Sequence, residues 1–72
     1  MNGAHIGQRV RTRDQLGTTE GMIAHPAYIQ NRRPGALGTV SQIVPGHGGE
    51  VWVVTHEDNV KAVYSIDEMD EA

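Results

Sequence analysis

The chain has 72 residues, a formal net charge of −3, no cysteine and no unbroken apolar run of membrane-spanning length. This excludes disulfide staples and thiolate metal sites, and it excludes a transmembrane helix, which needs about 20 apolar residues. A chain of this size bounds one domain, 1–72, with a modest core. Its first residues lack the basic start and apolar stretch of a signal peptide, so the expected setting is the cytoplasm.

Charge is segregated. Residues 1–33 carry +3 and residues 34–72 carry −6. Either the two halves neutralise each other in one small fold, or they mark a bipolar surface. Valine is the commonest apolar residue, phenylalanine is absent, and nine glycines with three prolines supply turns. That inventory suits strands.

Residues 6–13 read I-G-Q-R-V-R-T-R, a strand-like alternation with Ile6 and Val10 on one face and the arginines solvated on the other. Residues 14–34 form a long irregular loop containing Gly17, Gly21, Pro26 and Pro34. Loops of this length inside compact domains are uncommon and often functional. Pro26 biases His25 toward extended geometry, and residues 27–31 fit one helical turn. Met22, Ile23, Tyr28 and Ile29 are expected to pin the loop to the rest of the domain.

A second strand is expected over 35–44, entered through a glycine turn, and a third over 50–56. In the third, Val51, Val53 and Thr55 share one face, and Trp52, Val54 and His56 share the other. Both faces are apolar, which places the strand centrally, with Trp52 covering an end or an outer patch. The G-H-G-G stretch at 46–49 is followed by this strand. Phosphate-cradling glycine loops lead into helices, so 46–49 reads as a hairpin loop. Residues 57–59 form a tight turn with Asn59 tolerant of left-handed geometry. A fourth strand follows over 60–64. Ser65-Ile66-Asp67-Glu68 has capping-box spacing and starts a short helical turn, after which Met69 opens a last short strand.

The turn and core signals G-Q-R-V-R at 7–11, P-G-A-L-G-T-V at 34–40 and Y-S-I-D-E-M at 64–69 resemble those of SH3-like small β-barrels. Similar patterns occur in KOW-type ribosomal and transcription modules, the ferredoxin–thioredoxin reductase variable chain, the small peripheral photosystem I subunit and type II plasmid dihydrofolate reductases. The resemblance implies an all-β fold: an SH3-like five-stranded small barrel with a long irregular loop between strands one and two and a short helical turn near the C-terminus. For function it implies RNA or transcription partners, docking to a larger redox protein, or an active site at a tetramer's pore. Aligned on Tyr64, the reductases' substrate-binding Gln falls on Ala62, and Lys61 does not replace it.

Chemistry-bearing residues are sparse. His5, His25, His47 and His56 show no tight ligand spacing, so neither metal nor cofactor is expected. His25 and His47 meet only if the long loop folds over the hairpin. His56-Glu57-Asp58 sits at a polar turn, a poor place to tune a general acid or base. Ser41 and Ser65 lack an adjacent base, and Ser65 reads as a cap. No catalytic residues are assigned and no enzyme is expected.

The expected function is a non-catalytic interaction module or small accessory subunit that binds a protein partner. Its contact residues are expected to be Trp52, Tyr28, Arg32, Arg33 and His47, since Trp, Tyr and Arg dominate binding hot spots. A KOW-like nucleic-acid (RNA) binding module, using Arg9, Arg11, Arg13, Arg32 and Arg33 on phosphate, is the first alternative. A small enzyme with a site shared across a homo-oligomer is the second. Self-association would also compensate for a small core.

Overall fold

The computed structural model describes residues 5–46 and 49–72. Five strands form one antiparallel sheet: β1 (Arg9–Thr12), β2 (Leu37–Gly46), β3 (Gly49–His56), β4 (Lys61–Tyr64) and β5 (Met69–Glu71). A short helix, α1 (Pro26–Gln30), interrupts the loop between β1 and β2, and a 3-10 turn over Ile66–Glu68 precedes β5. The spatial order is β4-β3-β2-β1-β5. This is the expected small all-β fold of five strands, with the long irregular loop between strands one and two and the short helical turn near the C-terminus. Among the described residues no helix is long and apolar enough to cross a membrane.

The sheet curls because β2 bends. Its register on β3 steps from Val40↔Val54 to Gln42↔Val53, leaving Ser41 as a bulge residue. The Ser41 hydroxyl donates to the Val53 carbonyl at 3.2 Å and accepts from the Thr55 hydroxyl at 3.1 Å, which fixes the bulge. Before the bend β2 pairs with β1; beyond it, its ladder runs on β3 alone. The curl brings β4 and β5, at opposite ends of the sheet order, onto one core. Val10, Val40, Trp52, Val54, Ala62, Tyr64 and Met69 make up that cluster.

The two-faced character of β3 has a direct cause. Trp52 and Val54 point into the barrel, while Val51 and Val53 join Val63 in a second cluster on its outer side. Met22, Ala24, Tyr28 and Ile29 from the long loop cover that second cluster. Helix α1 is too short to be stable alone and holds by this packing and its caps. His25 is extended (ψ 135°), and its Nδ1 accepts from the Ala27 amide at 3.1 Å.

Three expectations are corrected. Trp52 is 5% exposed and belongs to the core, not to an end or outer patch. Ile23 is 52% exposed and does not pin the loop. Ile6 is 62% exposed, because Gly7 at φ +93° turns the chain before β1 begins and breaks the alternation. The tight turn after β3 does place Asn59 in the left-handed region, at φ 66°.

Gly38, on β2, lies close against β3. A Cβ there would lie 2.4 Å from Val54 Cγ1 and 3.0 Å from the Thr55 carbonyl oxygen. Gly38→Ala is expected to lower stability by about 1–3 kcal/mol through overpacking. Urea unfolding checks this as a lowered midpoint with an unchanged m-value.

Candidate functional site

The long loop is closed at its base by short hydrogen bonds. The Thr12 hydroxyl donates to the Arg33 carbonyl at 2.7 Å and accepts from the Ala36 amide at 2.8 Å. The Arg33 amide donates to the Tyr64 hydroxyl at 2.9 Å. Tyr64 in turn lies 2.7 Å from His56 Nε2, and His56 Nδ1 lies 2.8 Å from the Leu37 carbonyl. A carbonyl only accepts, so Nδ1 carries the ring proton and Nε2 accepts from Tyr64. Burial pushes the Tyr64 phenol up, only partly offset by the Arg33 backbone and the nearby arginines. His56 is therefore an interior link in a polar chain, and it is 3% exposed.

Inside the loop lies a buried ion pair. Arg32 and Glu68 bond directly, and each side chain is 6% exposed. The Glu68 carboxylate uses both oxygens: Oε1 accepts from the Ser65 amide at 2.9 Å, and Oε2 accepts from the Gly17 amide at 2.5 Å and from Arg32. The Arg32 guanidinium also reaches the Gly17 carbonyl at 3.2 Å and Met22 Sδ at 3.1 Å. It stacks 5.5 Å from the centroid of the Tyr64 ring, a favourable cation–π placement. Desolvation pushes the Glu68 carboxyl up. The Ser65 amide, Arg32 and the Gly17 amide outweigh it and leave the group below its ordinary value.

The remaining arginine pairs are exposed. Arg9 meets Glu57 at 2.6 Å, Arg13 meets Asp70 at 3.2 Å and Arg33 meets Asp58 at 3.2 Å. Pairs of this kind add little stability, but Arg9–Glu57 offsets one charge on the basic face of β1. Arg11, also on that face, has no ion-pair partner among the described residues.

A cleft of about 100 Å³ opens where the loop crosses the start of β3. Met22 and Val51 give it an apolar floor, and Thr18, Glu20, Glu50 and Ser65 form its polar rim. Its floor and rim are tied to the buried pair, since Met22 Sδ bonds Arg32 and the Ser65 amide bonds Glu68.

Of the five residues expected to form a contact face, the four among the described residues do not share one surface. Trp52 lies in the barrel core, and Tyr28 packs in the cluster on the other side of β3. Arg32 faces inward to Glu68, so it acts as a loop anchor in this conformation. Arg33 keeps a side chain 38% exposed and turned to Asp58. His47 lies outside the described residues. Among the described residues no group of three or more His, Asp or Glu could hold a metal ion. Glu20 and Glu50 were not singled out from the sequence. Thirty positions separate them, and only the folded loop brings both to one cleft.

Compared with known protein families, curated proteins and solved structures, the chain matches no family model, no curated protein and no solved structure.

Two outcomes test the buried pair. Glu68→Ala strands a buried guanidinium and is expected to cost about 3–5 kcal/mol, whereas replacing both partners with apolar residues costs clearly less. A double-mutant cycle measured by urea unfolding reads the difference. The pH dependence has a definite sign. A carboxyl whose folded value is depressed stabilises the fold above its unfolded value, near pH 4.3, and loses that contribution as pH falls through the folded value. Stability of the native chain should therefore fall below about pH 4.3. Its acid limb should be shallower in the doubly apolar variant.

Proposed function

We propose that this domain is a non-catalytic interaction module, a cytoplasmic adaptor or small accessory subunit, that binds a protein partner. The observation that carries the reading is the construction of the loop over 14–34. Its inner side is anchored by Arg32, Met22, Tyr28 and Ile29. Its outer side leaves Ile23 52% exposed, one residue from the floor of an open cleft. A loop already fixed in place loses little conformational freedom on binding, and that raises affinity for a given contact area. Binding residues commonly sit on loops held by a rigid scaffold in this way.

The nucleic-acid alternative draws on the arginines of β1. Arg9 and Arg13 already pair with carboxylates, which leaves Arg11 as the β1-side arginine without an ion-pair partner among the described residues, and phosphate supplies most nucleic-acid affinity. That distribution favours a protein partner.

Affinity capture from source-cell lysate at low salt, with half the sample treated with nuclease, tests the proposal. The expected result is a defined protein that survives nuclease and is recovered at least several-fold less well by Ile23→Asp. Recovery of nucleic acid alone, or loss of every partner after nuclease, would contradict it and move the RNA-binding reading to first place.

A further inference from the structure

The surface charges of this chain are mostly spoken for. Glu57, Asp58 and Asp70 pair with arginines, Glu68 pairs inside, Glu71 accepts from Gln8 Nε2 at 3.0 Å, and Asp67 accepts from the Ser65 hydroxyl at 2.6 Å. Glu20 and Glu50 are exposed, and neither carboxylate has a hydrogen-bonding or ionic partner among the described residues. Both line the same cleft.

The apolar part of the lining is fixed. Val51 is 4% exposed within the outer cluster, and Met22 packs on that cluster while Arg32 Nη1 holds its sulfur. A cleft lined by apolar Met22 and Val51 and by two acidic residues suits a side chain built as an aliphatic stem with a cationic head. Two uncompensated acidic residues lining one cleft give it a negative potential that favours a cation. The chain's own arginines do not fill this role: Arg32 faces Glu68, Arg9, Arg13 and Arg33 pair elsewhere, and Arg11, on β1, does not line the cleft. A hard metal ion is less well served, since calcium takes six or more oxygen ligands and no group of three candidate ligands lies here.

From this geometry we infer that the cleft between the long loop and β3 receives an arginine or lysine side chain presented by the protein partner. The inference rests on the interaction-module reading and adds what the partner must carry. Met22 and Val51 take the stem; Glu20 and Glu50 take the charge. The neighbouring Ile23 offers an apolar contact to the residue beside the basic one. Complementarity of this kind sets specificity and association rate more than raw affinity, so binding weakens as salt rises.

The probe is N-acetyl-arginine amide, with N-acetyl-citrulline amide as its neutral isostere, titrated into the full ¹⁵N-labelled chain. Arginine amide is expected to shift the amides of Thr18, Glu20, Gly21, Met22 and Val51 and to bind at least several-fold more tightly than citrulline amide. Glu20→Gln with Glu50→Gln should remove that preference while the remaining spectrum stays that of the folded barrel. Equal binding of the two amides, shifts mapping elsewhere, or no shift in the millimolar range overturns the inference. Lysate capture with the double variant separates the two readings. A partner retained in full by the double variant sinks the basic-residue inference and leaves the module reading standing. Absence of any protein partner for the wild type sinks the module reading, while the titration still reports on the cleft.

Discussion

The buried pair of Arg32 and Glu68 is the constraint on which the rest of this molecule depends. Taking two charges out of water is unfavourable unless every remaining donor and acceptor finds a partner. Here the carboxylate is filled by Ser65, Gly17 and Arg32, and the guanidinium by Glu68, Gly17, Met22 and the face of Tyr64. These contacts join positions 17, 22, 32 and 68, three of them in one irregular loop. A domain of 72 residues without cysteine has no covalent staple, and closing a long loop carries an entropic penalty. The ion pair supplies the cross-link that the composition lacks.

From that anchor the surface follows. With the loop drawn against β3 and β4, the outward valines of β3 are covered, and the strand becomes apolar on both sides without exposing either. The same contacts set the cleft. Met22 and Ser65 each bond one half of the ion pair and each line the cavity. Anchor and proposed contact surface are thus built from shared residues, so a change that loosens the pair should also blur the cleft. Function as proposed here is a property of loop order, and loop order is a property of one buried interaction.

Much of the architecture was legible in the chain because its signals are local. The alternation over 50–56, the turn at Asn59 and the S-x-x-E spacing at Ser65 each depend on neighbours within a few residues, and each is present in the fold. The misreadings have local causes too. Ile6 fits an alternating pattern, yet the positive φ of Gly7 ends that pattern one residue later. Arg32 and Trp52 read as surface anchors because arginine is rarely fully buried and tryptophan is common at interfaces. Nothing near Arg32 in sequence reveals that Glu68 waits 36 positions away. The meeting of Glu20 with Glu50 is likewise a product of the folded loop, and no periodicity encodes it.

The most direct test of this account is native-state hydrogen exchange, resolved by residue, on the wild type and on Glu68→Gln. The Gly17 amide bonds the Glu68 carboxylate and the Met22 amide bonds the Thr19 carbonyl within the loop. If the pair anchors the loop as a unit, both amides exchange at least about tenfold faster in the variant, which is about 1.4 kcal/mol of opening free energy. The amides of β3 and β4 should change much less, as expected for a locally opening segment. Unchanged exchange at Gly17 and Met22 would contradict the account. So would a uniform acceleration across loop and strands, because the pair would then support the whole barrel and not the loop in particular.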